Sequence, residues 1–245
     1  MTAPEVLSHD HEVLATATTA GIPASPQIAT AVAAAAAAPA AAAAVAAPAP
    51  VEAPAPAPAE VPVIDAGEQA SLGARLERQG DLEGAIAAYR LADAGGHGPG
   101  ATNLGVLLEQ HGDLEGALGA YQRADERGDT NGSFNLGCLL ADWGDVPGAM
   151  AALQRADDRG DPAAASNLGV LLEQEGDLDG AVAAYRRADE RGDANGSFNL
   201  GLLLASFGDL PGAEEAYRHA TEGDDPEVTD RAQVALTELH QSRSR

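Results

Sequence analysis

The chain has 245 residues, with 38 acidic against 14 basic side chains, a formal net charge of −24 and a pI near 4.3. That balance excludes a phosphate-backbone binder, because a nucleic-acid surface needs a basic stripe to release counterions. A single cysteine, Cys138, excludes an intramolecular disulfide framework, and every basic residue is Arg, the first being Arg75.

Residues 1–65 are rich in Ala and Pro with few large apolar side chains, so a disordered tail and linker is expected there. No Lys or Arg precedes the Ala-rich run, which therefore lacks the charged region of a Sec-type signal. Pro39 interrupts the run from Ile28 to Val45 and Ala is only weakly apolar, so no membrane insertion is expected. The compartment read from these features is cytoplasmic, with signal-independent export left open. His9-Asp10-His11-Glu12 has metal-ligand residue types but reads as solvated tail.

From Ala66 one block recurs five times without insertion, with a constant period of about 32 residues. One marker is Gly-Asp, a hydrophobic residue, one variable residue and Gly-Ala, beginning at Gly80, Gly112, Gly144, Gly176 and Gly208. The other is Leu-Gly preceded by Ser or Asn, from Ser71-Leu72-Gly73 to Asn199-Leu200-Gly201. The units expected are 66–98, 99–130, 131–162, 163–194 and 195–222.

Each unit reads as two helices. In the second, Ala101–Gln110 is helical, Gly112 supplies a left-handed stop, and Asp113 caps a helix running to about Arg127. Leu114, Ala117, Leu118, Tyr121 and Ala124 form its buried stripe, and Arg127 complements the helix C-terminus. The glycine-rich junction Gly95–Gly100 predicts a looser, more mobile loop. Asp225-Pro226 opens a further helix, within 223–245, that caps the stack.

A helix pair of this size cannot bury both faces alone, so neighbouring pairs must stack. Gly of the Leu-Gly pair lets a neighbouring helix approach. Gly84, Gly116, Gly148, Gly180 and Gly212, inside helices, reflect either close packing or recent duplication. Asn103–Phe134 matches Asn167–Phe198 at about 26 of 32 positions, and Trp143 and Phe207 recur in the third and fifth units, so the larger period is 64.

No compact constellation of titratable residues recurs as catalysis would require, and no Gly-rich loop is followed by Lys. Asp125-Glu126, Asp157-Asp158 and Asp189-Glu190 read as a solvated face. Cys138 reads as a small core residue. The expectation is a non-enzyme without cofactor or metal.

Leu104-Gly105 with Leu108, then Gly112-Asp113, Ala117, Tyr121 and Ala124, repeated in all five units, resembles the tetratricopeptide repeat. Tyr89, Tyr121, Tyr185 and Tyr217 stand at the family's aromatic position, with Leu153 the exception. The unit falls two positions short of the family's usual length of about 34 residues. The usual Trp is Gln69, Ala101, Ser133, Ala165 or Ser197, and the closing Pro is missing. The ending Arg-Ala-Asp-Glu-Arg-Gly-Asp is similar to the related Sel1-type repeat.

The resemblance implies an all-α solenoid whose first helices line a concave, peptide-binding groove. It places Asn103, Asn135, Asn167 and Asn199 on that groove, where they either read a peptide backbone or support the helix start. It adds Phe134, Phe198, Val106, Cys138, Val170 and Leu202 as lining, with Glu109, Gln110, Glu173 and Gln174 nearer the rim. Members that clamp a carboxylate use Lys or Arg beside the Asn, whereas this chain has Thr102, Phe134, Ser166 and Phe198. The partner implied is a neutral to basic protein or peptide; the rival reading is a self-assembling structural module.

Overall fold

The computed structural model describes residues 65–243, and the expectations for the Ala/Pro tail and for His9–Glu12 lie outside them. Among the described residues eleven helices follow one another: α1 Ala66–Arg78, α2 Leu82–Ala94, α3 Gly98–Gln110, α4 Leu114–Glu126, α5 Thr130–Asp142 and α6 Val146–Asp158. Then come α7 Pro162–Gln174, α8 Leu178–Glu190, α9 Ala194–Ser206, α10 Leu210–Ala220 and α11 Pro226–Arg243. The odd-numbered helices α1–α9 are the A helices of five units, and α2–α10 are the B helices. Each A packs on the B of its own unit, each B on the next A, and α11 on α10 and α9. The result is the all-α solenoid.

The helices begin and end where the local chemistry dictates. Asp113 accepts a hydrogen bond from the Gly116 amide at 2.9 Å and so caps α4, and an Asp does the same at the start of every B helix. At the end of α3 the Asp113 amide donates to Leu108 O and the Gly112 amide to Glu109 O, with Gly112 at φ +80°. These are the two bonds of a Schellman closure, which only a residue tolerant of positive φ completes without strain.

The glycine-rich junction is not a loose loop. Helix α3 begins at Gly98, with His97 Nδ1 accepting from the Gly100 amide at 2.8 Å and Pro99 in the first turn. A Cβ at Gly100 would lie 2.8 Å from Ala92 Cβ. The glycines there serve close passage of α3 over α2, and the imidazole replaces the usual Asp cap.

The Leu-Gly pairs set the packing within each unit. A Cβ at Gly73, Gly105, Gly169 or Gly201 would come closer than 3.0 Å to the ring of Tyr89, Tyr121, Tyr185 or Tyr217, and one at Gly137 would meet Leu153. The A helix thus lies directly on the aromatic ring of its B helix. The rings of Tyr89, Tyr121 and Tyr185 are almost wholly buried, beside alanines such as Ala85, Ala117 and Ala181 that let the helices close up.

The mid-helix glycines have a different cause. A Cβ at Gly116 would come closer than 3.0 Å to the Asp113 carboxylate, and the capping Asp is likewise the obstacle at Gly84, Gly148, Gly180 and Gly212. They seat the capping Asp of their own helix rather than a neighbouring one. Helix α11 closes the array by burying Val228, Ala232 and Leu239, while Arg231 lies 4.4 Å above the Phe198 ring and Arg243 reaches Glu214.

Candidate functional site on the A-helix face

The boundaries between units hold the strongest polar contacts of the array. Asp157, at the end of α6, receives Arg187 Nη2 at 2.6 Å and Arg191 Nη1 at 2.5 Å from α8 and the turn after it. Asp125 receives Arg155 and Arg159, and Asp93 receives Arg123 and Arg127, in the same way. Ser133 also donates to Asp125, and Ser197 to Asp189. Burial pushes the Asp93 and Asp125 carboxyls up, but the hydrogen bonds and charges of the two guanidiniums outweigh it, so both titrate below the ordinary carboxylate range.

This corrects the reading of the Asp pairs as a solvated face. Asp125 and Asp157 are buried and Asp189 is half-buried, and only their neighbours Glu126, Asp158 and Glu190 are exposed. Arg127 likewise does more than complement its own helix, since it reaches back to the preceding unit. At the last boundary His219 stands in the place of the first Arg, with Nδ1 3.0 Å from Asp189.

A second hydroxyl series runs one turn further on. Thr102 donates to Asp129, the cap of the next A helix, and Ser166 bonds Asp193 correspondingly. Their counterparts in the third and fifth units are Phe134 and Phe198, so the 64-residue period is an alternation of polar and aromatic boundaries.

Asn103, Asn135, Asn167 and Asn199 occupy one register position on α3, α5, α7 and α9, the first exposed and the others half-buried. Three residues on, Val106, Cys138, Val170 and Leu202 are all half-buried, so each Asn has an apolar neighbour on its own face. The Asn167 amide donates to Cys138 Sγ at 3.6 Å across the boundary between units, and Asn103 bonds the Tyr89 hydroxyl.

Glu109 and Glu173 accept the hydroxyls of Tyr121 and Tyr185 at 2.7 and 2.9 Å, as Glu77 does that of Tyr89 at 2.9 Å. The tyrosines are therefore held protonated: burial and the adjacent Glu push Tyr89 up to about 12 and Tyr121 and Tyr185 higher still. Phe134 is half-buried, whereas Phe198 is 5% exposed, packed beside Tyr217 and beneath Arg231.

Cys138 is pushed up to about 11, chiefly by burial, with Asp142 and Glu109 adding to it. Burial and the charge of Glu109 on the neighbouring A helix also raise Asp142. A thiol so placed is a poor nucleophile at neutral pH. Among the described residues no group of three or more His, Cys, Asp or Glu side chains could hold a metal ion. No described helix is long and apolar enough to cross a membrane.

Sequence reasoning misses the Asp–Arg series. Its signal is nonetheless present, since each Asp is followed by one Arg just before and one just after a full repeat, as Asp157 is by Arg187 and Arg191.

The tetratricopeptide repeat family model matches residues 134–196. No curated protein matches the chain in sequence. A Sel1 repeat protein from Oxalobacter formigenes has a similar structure, with a TM-score of 0.57 and 21% identity, covering 74% of this chain and 87% of that one. So does pilF of Pseudomonas aeruginosa, with a TM-score of 0.58 and 17% identity over 73% and 86% of the two chains. YrrB, a tetratricopeptide repeat protein with an unusual peptide-binding site, aligns with a TM-score of 0.50 and 23% identity over 69% and 92%. The matched segment and the recurrence of the same residues beyond it are similar to the tetratricopeptide repeat, and the fold is the one shared by tetratricopeptide and Sel1 repeat proteins.

Proposed function

We propose that the array is a non-enzymatic interaction scaffold that holds an extended peptide segment against the A helices. The observation that carries this reading is the register of Asn103, Asn135, Asn167 and Asn199 on successive A helices, each beside an apolar residue of the set Val106, Cys138, Val170 and Leu202. A carboxamide both donates and accepts, so a row of them pairs with an extended backbone while the apolar residues take alternate side chains.

The fold favours such a role, being a stack of short units that presents one continuous face. The peptide-binding site of YrrB supports the reading by likeness of fold. Phe134 extends the apolar lining, while Phe198, covered by α11, is left out of it. Glu109 and Asp142 give the face an acidic character that suits a neutral to basic segment, because a cation seated there offsets both the burial and the charge of Glu109 that raise Asp142.

The test is a displayed library of unstructured peptides selected on the parent chain, with the selected peptides then titrated against parent and Asn135→Ala/Asn167→Ala. Loss of hydrogen bonds worth about 1 kcal/mol each weakens binding by about tenfold or more. Helicity should be unchanged. Equal binding by both proteins rejects the carboxamide row.

A further inference from the structure

We propose that a second face, the edge formed by the turns from A to B helices, docks an arginine-rich segment of another protein. Trp143 and Phe207 cap α5 and α9 at these turns and are 43% and 51% exposed. The same position in the second and fourth units holds His111 and Glu175. The aromatic rings therefore alternate along the edge with polar residues.

Arginines are unevenly placed between the two edges of the array. The five turns from A to B helices, residues 79–81, 111–113, 143–145, 175–177 and 207–209, contain six acidic side chains and no Lys or Arg. Six arginines, Arg123, Arg127, Arg155, Arg159, Arg187 and Arg191, are bound at the opposite ends of the helices by Asp93, Asp125 and Asp157. The A-to-B turns thus carry acidic side chains and no arginine of their own.

The carboxylates there are also presented in a usable way. Asp145 and Asp209 each accept a helix amide through Oδ1, at 3.1 Å from Gly148 and Gly212, which leaves Oδ2 for an outside donor. A guanidinium stacks on an exposed indole or phenyl ring and donates sideways to a carboxylate, a combination that neither an aliphatic nor an acidic segment can provide. Six of this chain's fourteen arginines are already held in ion pairs between units. The partner is a separate, basic polypeptide.

Trp143 is the only tryptophan, so its fluorescence reports on this edge alone. The full chain is titrated with an oligoarginine peptide, and with oligoglutamate and neutral Gly/Ser peptides as controls. Oligoarginine should change the emission saturably, less so at high salt, and the controls should not. Phe207→Ala and, separately, Glu175→Lys should each weaken the interaction several-fold, with unaltered circular dichroism, while Asn135→Ala/Asn167→Ala leaves it intact. An unchanged emission overturns the proposal. Equal affinity in the parent and both edge variants overturns it as well, and loss confined to the double Asn variant assigns the peptide to the A-helix face instead.

Discussion

Asp157 Oδ1 lies 2.5 Å from Arg191 Nη1 although the two belong to different units, and the other oxygen of the same carboxylate lies 2.6 Å from Arg187, one helical turn before Arg191. One buried carboxylate therefore ties two points of the following unit to the end of its own. Its side chain is 1% exposed while the arginines remain 30–36% exposed. The anion is thus the member that depends on the contact.

Arg187→Ala and Arg191→Ala together should cost more than Asp157→Asn, because the former leave a buried charge without a partner and the latter leaves two cations that water can reach. We expect about 3 kcal/mol or more against about 1–2 kcal/mol. Thermal or urea unfolding of the three proteins measures the order, and an equal loss in both would refute the buried-anion account.

Acid should dismantle these boundaries late. The folded-state carboxyls of Asp93 and Asp125 lie below the unfolded value, so their contribution is complete above about pH 3.9 and disappears as pH falls through the depressed folded values. Asp142 and Asp193 act in the opposite sense, since raised carboxyls favour the folded state as they protonate. Unfolding midpoints followed downward from about pH 6 should therefore hold or rise slightly before collapsing below about pH 4. Asp125→Asn should start lower and lose less in that final interval.

Gly169 and Gly116 separate two explanations of retained glycine. A Cβ at Gly169 would lie 2.5 Å from the buried Tyr185 ring, so Gly169→Ala should destabilise by about 1–3 kcal/mol and Gly169→Leu by more. At Gly116 the obstacle is the exposed Asp113 carboxylate, which can swing aside, and the gain in helix propensity of about 1 kcal/mol offsets a weakened cap. Gly116→Ala should be close to neutral in the same melting experiment.

Cys138, held near 11, should react slowly with a disulfide reagent at about pH 8 in the native chain and rapidly after unfolding in urea. Asn167→Ala removes the N–H donor to its sulfur, which should raise the thiol further and slow the native reaction rather than speed it. A faster native reaction would show that access, not thiolate content, sets the rate.

The helices are legible in the sequence because their signals are local. Asp113 caps and Gly112 stops within a few residues, and Leu114, Ala117, Leu118, Tyr121 and Ala124 lie on one stripe of a single helix. The junction before α3 defeats such a reading because Gly98 and Gly100 look flexible in isolation, whereas Gly100 admits the approach of Ala92 from another helix. The Asp125–Arg155 pairing is hidden for the same reason, as a contact made only once two units are stacked. On the A-helix face the register of the four Asn residues is readable, but the partners of Glu109 and Phe198, a tyrosine on one side and Arg231 of the capping helix on the other, are not.

The Asp–Arg contacts also give each unit a plug and a socket. Units two to four carry both, but unit one has Leu91 and Gly95 where the prongs would be, and unit five has Thr221 where the socket would be. The outward face of each end unit therefore lacks its half of this contact, so stacks of this chain cannot lengthen end to end through it. An internal 64-residue block, by contrast, can be added or removed with every joint regenerated. The array thus encodes a ruler whose length is fixed by its terminal units and adjustable only from within.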